Sequence, residues 1–409
     1  MSETVPDVTL DDVLAARENL DGVMRATPLK FSRALSDRIG AEVSLKCENL
    51  QRAGSFKFRG AYTRLSRLSE EEKASGVVAA SAGNHAQGVA LAAQMLGIRA
   101  KIYMPVGAPM PKVNATRAYG AEIEQVGHTL DEAMPHAQEY ARETGAVYIH
   151  PFDHPDIVAG QGTCGLEILE QCPDVRTVVV GVGGGGLIAG ISVVMKALKP
   201  DVRIVGVQAE GAAAYPSSLE AGHPIACESM HTMADGIAVG LPGDVPFQLV
   251  QRNVERVDTV SEESISRALL HLLERSKLVV EPAGGVAVAR LLGGSAESWE
   301  GPVVAVLSGG NIDPLLMLRI IRHGMAAAGR YLQLSVRVPD KPGNLAQLLS
   351  DCADVDANVL EIEHLRTNAS LNVDEVEIAV ELETKSEEHR EEVLAHLRGR
   401  CYHLVSTDA

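Results

Sequence analysis

A lysine in an unusual setting is the first residue in the sequence that could do chemistry. Lys57 lies in the segment Gly54–Ala61 (GSFKFRGA), where Ser55 is a suitable N-cap and the next residues predict a helix. A first-turn cation faces the positive end of the helix dipole, and two flanking phenylalanines exclude water, so both effects lower the amine pKa. A neutral amine can form a Schiff base and abstract a proton. A solvated lysine beside a partly buried phenylalanine is the structural alternative.

A second candidate segment, Ser81–Gly88 (SAGNHAQG), lies between a predicted strand and a predicted helix. The exposed backbone N–H groups at the start of a helix bind anions, and this loop suits a carboxylate. Asn84 adds a side-chain donor and acceptor. An ordinary helix start, capped by Asn or Ser, is the alternative interpretation.

Four consecutive glycines, Gly183–Gly186, also connect a predicted strand to a predicted helix. A backbone without Cβ atoms can surround a phosphate with several N–H donors at a helix N-terminus. Together with Gly181, however, the loop also satisfies the G-x-G-x-x-G pattern of dinucleotide-binding folds, and Glu210 lies where a ribose-binding acid is expected. The loop alone therefore leaves a nicotinamide enzyme open.

A serine closes the last apolar strand of this region. Ser308 follows the run Val303–Leu307 and opens the turn Ser-Gly-Gly-Asn. A hydroxyl at the carboxyl end of a strand can bond a heteroaromatic nitrogen without protonating it. The segment Glu281–Gly284 (EPAG) lies at another loop of the same kind. A simple turn is the alternative for Ser308.

Alternating strands and helices position these segments as far as about residue 325. Short Val/Ile-rich runs, such as those over 76–80 and 177–182, alternate with Ala/Leu-rich helical stretches. Nearly continuous apolar strands between helices indicate an α/β protein with parallel sheets covered on both faces. Ligands bind such sheets at the loops that follow the strands' carboxyl ends, where the candidate segments lie.

The pattern changes near Gly329. From Tyr331 to Ala409 the sequence predicts a strand, a helix, two strands, a helix and a last strand, and the first strand alternates apolar and polar residues. This β-α-β-β-α-β order is the ferredoxin-like unit. We therefore predict two domains, over 1–330 and 331–409.

Composition excludes several classes of protein. The 409 residues hold 54 Asp+Glu against 37 Lys+Arg, a net charge of −17 that phosphate backbones repel, so no nucleic-acid partner is predicted. The six cysteines form no C-x-x-C pair, and the acidic start is unlike a signal peptide, which predicts a cytoplasmic protein. The uncharged stretch Thr177–Met195 approaches the length of a membrane span, but its glycines divide it, so no membrane partner is predicted.

Taken together, the candidate segments resemble the threonine dehydratase (threonine ammonia-lyase) family of fold-type II pyridoxal-phosphate enzymes. The resemblance runs from Thr27-Pro-Leu to about Ala328. It implies two parallel-sheet α/β subdomains, similar to tryptophan synthase β, with the smaller one (about 52–155) inserted in the larger. The tail, with Gly343 between its first strand and first helix, resembles an ACT regulatory domain, and the chain has room for one such unit.

The resemblance also implies a role for each site residue. Lys57 would hold pyridoxal 5'-phosphate as a Schiff base and remove the Cα proton, with Phe56 against the pyridine ring. Asn84 would bond the phenolic oxygen of the cofactor, and Ser308 would face its pyridine nitrogen. Its phosphate would be bound by Gly183, Gly184, Gly185, Gly186 and Leu187. The substrate carboxylate would be bound by Ser81, Ala82, Gly83, Asn84 and His85.

The implied activity is dehydration and deamination of L-threonine, and of L-serine, to a 2-oxo acid and ammonia, as a step towards isoleucine or in threonine catabolism. Ala82 occupies the position where serine racemases carry a second serine, so dehydration is favoured over racemisation. Pro216 stands where the family's cation site expects an oxygen ligand, and no metal is predicted. A homotetramer and a branched-chain amino-acid effector at the tail are also implied. The alternatives are another β-eliminating or β-replacing enzyme of this fold, a nicotinamide dehydrogenase, or a non-catalytic amino-acid sensor.

Overall fold

The computed structural model describes residues 5–293, 298–327, 329–366 and 372–408, which form two compact units divided between Asp313 and Pro314. The helix Pro314–Ala327 contacts the first strand of the tail and belongs to the second unit. This division precedes the boundary at residue 330 that the sequence pattern predicts.

Helices and strands follow one another along both units, and in the first unit they largely alternate, as the sequence predicts. The strands are β1 (Leu29–Phe31), β2 (Val43–Lys46), β3 (Val77–Ala80), β4 (Ala100–Met104), β5 (Glu122–Gln125), β6 (Val147–Tyr148), β7 (Thr177–Gly181), β8 (Arg203–Ala209), β9 (Arg256–Val260), β10 (Val303–Val306), β11 (Tyr331–Pro339), β12 (Asn358–Leu365), β13 (Glu375–Glu383) and β14 (His403–Asp408). The α-helices are α1 (Leu10–Leu20), α2 (Arg33–Ile39), α3 (Lys57–Ser66), α4 (Glu70–Ser75), α5 (Asn84–Leu96), α6 (Met110–Ala118), α7 (Leu130–Thr144), α8 (Pro155–Gln171), α9 (Gly186–Leu198), α10 (Ala214–Ala221), α11 (Asp244–Asn253), α12 (Glu262–His271), α13 (Pro282–Leu292), α14 (Pro314–Ala327), α15 (Asn344–Ala353) and α16 (Glu387–Gly399). Short 3-10 turns cover Glu48–Leu50, Arg52–Gly54, Glu210–Ala212 and Asp235–Ile237, and a π-turn covers Leu272–Ser276.

Two sheets build the first unit. The larger has the order β1-β2-β10-β7-β8-β9 and is parallel except for the β1–β2 pair. The smaller has the order β5-β4-β3-β6, is parallel throughout, and lies in sequence between β2 and β7. Every residue of β3, β7 and β10 is buried, because helices cover both faces of these strands. The α/β architecture with parallel-sheet subdomains is confirmed.

The second unit is built on an antiparallel sheet with the order β12-β13-β11-β14. With α15 after β11 and α16 after β13, this is the predicted β-α-β-β-α-β order. Alternate residues of β11, from Leu332 to Val338, are buried in a core that also takes residues from α15 and α16. The unit therefore has a hydrophobic core of its own.

The uncharged stretch that approaches the length of a membrane span forms β7, the glycine loop and most of α9. Among the described helices, none combines the length and the apolar character needed to cross a bilayer.

Candidate active site

Lys57 is the first residue of α3, at the position where the sequence predicts a lysine with a lowered pKa. Burial lowers the pKa of Lys57 to about 8, and the carboxylate of Glu281 partly opposes this effect. Nζ donates to the carbonyl oxygen of Pro151 at 2.8 Å and lies 5.3 Å from the centre of the Phe56 ring. The amine therefore has a fixed hydrogen-bond acceptor and an apolar neighbour.

Ser55 does not cap α3. The N-cap is Phe56, and Ser55 instead forms a backbone bridge with Gly309, while its Oγ is buried without a hydrogen-bond partner. The N–H of Phe56 donates to the carbonyl oxygen of Ser308 at 3.1 Å. These backbone contacts bring the lysine segment against the loop that follows β10.

Asn84 begins α5, in the loop after β3, and its amide is bonded at both ends. Nδ2 donates to Oε1 of Glu281 at 2.5 Å, and Oδ1 accepts from Nδ2 of Asn311 at 2.7 Å. Gly83 is the N-cap, and its N–H donates to Oγ of Ser81. The first N–H groups of α5 lack partners within the helix, which suits an anion.

The side chain of His85 is engaged outside this loop. Its Nε2 lies 2.8 Å from the carbonyl oxygen of Ile149, and burial, with a smaller contribution from Lys57, lowers the His85 pKa to about 3. A neutral ring donates to that carbonyl. His85 can therefore contribute a backbone N–H to an anion site, while its ring holds α5 against the segment after β6.

The glycine loop connects β7 to α9 and leaves no space for side chains. Gly185 has a φ of +94° and is the N-cap of α9. A Cβ on Gly184 would lie 2.4 Å from the Phe152 ring, and one on Gly185 would lie 1.9 Å from the hydroxyl oxygen of Tyr215. This closely packed turn at a helix N-terminus fits a phosphate group.

Ser308 lies directly after β10 and its neighbour Leu307, where the sequence predicts it. It is buried, and Oγ donates to the carbonyl oxygen of Ala283 at 3.3 Å. The hydroxyl therefore carries no charge and has no acidic partner among its described contacts. Such a group fits a ring nitrogen that is to remain unprotonated.

Sequence reasoning assigned no role to several residues that complete this site. Glu281 is buried beside Asn84, although the sequence singled out only the loop that contains it. Asn311 was part of the turn after Ser308, and Pro151 and Phe152 belong to the loop after β6. The position of the last two at the end of a parallel strand was the available signal.

Buried ion pairs connect α3 to neighbouring elements through Arg59, two residues after Lys57. Arg59 is fully buried and bonds both carboxylate oxygens of Glu48 at 2.7 Å, and it also lies 2.8 Å from Glu167. Nζ of Lys46, on β2, is 2.5 Å from Glu167. We call Arg59, Glu48, Glu167 and Lys46 the buried ion cluster. It joins α3 to β2 and α8 beneath the site.

The chain is similar to known proteins over most of its length. The chain is 47% identical over 398 residues to the L-threonine ammonia-lyase of Thermotoga maritima, covering 97% of this chain and 99% of that protein. It is 43% identical over 308 residues to the catabolic L-threonine dehydratase of Escherichia coli K12, covering 75% of this chain and 94% of that protein. The processed form of threonine deaminase isoform 2 from Solanum lycopersicum superposes with a TM-score of 0.72 at 39% identity, over 78% of this chain and 90% of that one.

A family model also covers the elements that build the site. It is described as pyridoxal-phosphate dependent enzyme, and it matches residues 20–309, from before β1 to the loop after β10. That range contains Lys57, Asn84, the glycine loop and Ser308, and the cofactor of the family is pyridoxal phosphate rather than a nicotinamide. A buried amine, a glycine turn at a helix N-terminus and an uncharged hydroxyl suit this cofactor, and the chain belongs to the family of pyridoxal-phosphate-dependent enzymes.

Proposed function

We propose that the protein is a threonine ammonia-lyase, which converts L-threonine to 2-oxobutanoate and ammonia and also accepts L-serine. The observation that carries the proposal is the 47% identity to the Thermotoga maritima enzyme over nearly the whole of both chains. The arrangement of Lys57, Asn84, the glycine loop and Ser308 supports it, because each offers the chemistry that the reaction requires.

Lys57 acts as the covalent anchor and as the base in this proposal. Bound pyridoxal phosphate supplies a ring that withdraws electrons from the substrate Cα. With a pKa of about 8, roughly a tenth of the Lys57 side chains are neutral at pH 7. The neutral amine accepts the Cα proton, and its hydrogen bond to Pro151 orients it.

The remaining site residues bind and orient the substrate and the cofactor in this proposal. The segment Ser81, Ala82, Gly83, Asn84 and His85 binds the substrate carboxylate at the start of α5, through the N–H groups of Ala82, Asn84 and His85. The N–H of Ser81 donates to the carbonyl oxygen of Tyr103 and that of Gly83 to Oγ of Ser81, so these two shape the loop. The phosphate is bound by the loop Gly183–Leu187, at the start of α9. Phe56 would pack against the cofactor ring, and Ser308 would present an uncharged hydroxyl to the ring nitrogen.

Release of 2-oxobutanoate from L-threonine by the purified holoenzyme tests the proposal. We expect 2-oxobutanoate and ammonia in equal amounts, pyruvate from L-serine, and little D-serine, since Ala82 supplies no acid to the opposite face of the substrate. A cofactor-loaded protein that forms D-serine faster than pyruvate would instead be a racemase. One that releases no 2-oxo acid from either substrate would exclude the lyase.

We further propose that the second unit is an ACT-like regulatory domain that binds a branched-chain amino acid. Its core is separate from that of the first unit. Three quarters of this chain correspond to almost the whole of the Escherichia coli dehydratase, which supports a catalytic part that works without the tail. Gly343, with a φ of +96°, caps α15 and places N–H groups where an amino-acid carboxylate could bind.

We expect a chain truncated after Asp313 to remain active and to lose its response to isoleucine and valine. An effector must favour one of two arrangements, typically by a coupling of roughly 5–150-fold, and the proposed binding loop lies in the removed unit. Steady-state kinetics of both proteins, with each amino acid titrated, measures the response. The regulatory role fails if both proteins respond equally or if the full-length enzyme responds to neither amino acid.

The resemblance also supports two broader proposals, a homotetramer and a cytoplasmic location. Light scattering should give four times the chain mass of 43.4 kDa. A monomeric mass would contradict the assembly, and recovery in the membrane or secreted fraction of cells would contradict the location.

A further inference from the structure

Glu281 is a buried carboxyl group to which the proposed reaction assigns no task. It is the N-cap of α13, is 3% exposed, and its backbone N–H donates to the carbonyl oxygen of Gly309. A Cβ on Gly309 would lie 2.0 Å from Oε1 of Glu281, so this carboxyl group fills the space above the loop after β10. Its position is therefore fixed by backbone and packing.

Glu281 and Asn311 hold the amide of Asn84 between them, and we call this pair the Asn84 clamp. Glu281 accepts one N–H of Nδ2 at 2.5 Å, and Asn311 donates to Oδ1 at 2.7 Å. Asn311 is itself anchored, because it also donates to the carbonyl oxygen of Ala53 at 2.7 Å. The two contacts determine which end of the Asn84 amide is oxygen, and they leave a single N–H of Nδ2 unused.

The charged groups around Glu281 come from three elements. Burial and, to a smaller extent, the carboxylate of Asp235 raise the pKa of Glu281 to about 7, although the hydrogen bond from Asn84 and the cations Lys112 and Lys57 oppose the rise. Lys112, on α6, forms an ion pair with Asp235. The ionised carboxylate in turn raises the pKa of Lys57. Glu281 therefore does two things: it accepts a hydrogen bond from Asn84, and its charge affects the ionisation of Lys57.

We propose that Glu281 is a positioning residue that acts through Asn84, and that the Asn84 clamp reserves one amide N–H for the phenolic oxygen of pyridoxal phosphate. The inference rests on the cofactor placement proposed above. It predicts that loss of either half of the clamp weakens cofactor binding. Loss of the Glu281 charge alone leaves the hydrogen bond in place and changes only the ionisation of Lys57.

The clamp is tested by removing the cofactor from the enzyme and then measuring how tightly added pyridoxal phosphate binds again, in the absence of amino acid. We expect Glu281→Leu and Asn311→Ala each to raise the Kd for the cofactor by roughly 3- to 10-fold, the usual range for one lost hydrogen bond. Glu281→Gln retains an acceptor oxygen, so its Kd should stay within about twofold of the wild type. The surface variant Glu220→Gln, on α10, is the matched control and should change nothing.

The pH dependence of cofactor capture tests the charge. Capture requires the neutral amine of Lys57, whose pKa is about 8. Glu281→Gln removes a negative charge that favours the ammonium form, so the midpoint of the rate-against-pH curve should move to lower pH by roughly 1 unit. Asn311→Ala leaves the carboxyl group in place and should not produce this shift.

Two outcomes overturn the inference. One is cofactor binding as tight as the wild type in Asn311→Ala, a variant that removes no buried charge. The other is a Glu281→Gln protein that loses cofactor affinity and shows no shift of the capture midpoint. Neither measurement uses threonine. A lack of lyase activity would therefore contradict the proposed function, while the cofactor-binding measurements would still test the clamp separately.

Discussion

Lys57→Ala is expected to abolish the release of 2-oxobutanoate from L-threonine, with a loss of at least about 1000-fold. In the proposed function, the substitution removes both the amine that anchors the cofactor and the base that accepts the Cα proton, and a positioned base alone contributes roughly 100- to 10,000-fold. Lys57→Arg should be equally inactive, because a guanidinium group does not lose its proton near neutral pH. Activity assays and borohydride reduction of the cofactor-loaded protein, followed by peptide mass analysis, give both readouts.

The control for this experiment is Lys73→Ala, which removes a lysine of α4 that pairs with Glu70 on the surface. This variant should retain wild-type turnover and cofactor labelling at Lys57. If borohydride still attaches the cofactor to the Lys57→Ala protein through another lysine and turnover persists, the assignment of the anchor is wrong.

The second large effect is expected on stability, from the buried ion cluster. Arg59→Ala leaves Glu48 and Glu167 as buried carboxylates without their main partner, which should lower the free energy of unfolding by about 3–5 kcal/mol. Denaturant unfolding followed by circular dichroism measures the change. Arg17→Ala is the matched control, because its pair with Glu170 is solvent-exposed and should contribute less than about 1 kcal/mol.

The buried ion cluster also gives the stability a defined response to acid. Burial opposes ionisation of Glu167, yet Arg59 and Lys46 bring its pKa below the usual value of 4.5. A carboxyl group with a lowered pKa stabilises the folded state above its unfolded pKa, and this contribution is lost as the pH falls through the folded value.

The stability prediction for Arg59→Ala would be contradicted by a loss of stability no larger than that in Arg17→Ala. Water or a local rearrangement would then stabilise the charges of Glu48 and Glu167 in place of Arg59.

Local sequence patterns were sufficient to predict the features that depend on neighbouring residues. The strand–loop–helix order around Asn84 and the glycine loop follows from glycines and apolar runs within about ten residues. The lowered pKa of Lys57 was predicted from the helix start and the flanking phenylalanines, although burial is its largest cause. The order of the six tail elements followed from period-2 and helical patterns in the same way.

The contacts that could not be predicted from the sequence are those between segments far apart along the chain. Glu281 bonds Asn84 across 197 residues, and nothing in the sequence around either residue selects the other. The cap at Ser55 was wrong because a backbone bridge to Gly309 competes for that residue. Helix α14 continues the α/β alternation in sequence, yet packs with β11, and only the tertiary contacts assign it to the second unit.

The position of β10 in the larger sheet sets the order in which the protein can be completed during synthesis. This strand lies between β2 and β7, so Val43 and Thr177 acquire their common neighbour only when Val303 has left the ribosome. At about 5–20 residues per second, many seconds separate emergence of β2 from that of β10. All four strands of the smaller sheet end by Tyr148, so they leave the ribosome well before β10. Since Ser308 follows β10, a nascent chain carries Lys57 long before Ser308 can complete the proposed cofactor site, and we expect chaperones and proteases to reach the incomplete chain in that interval.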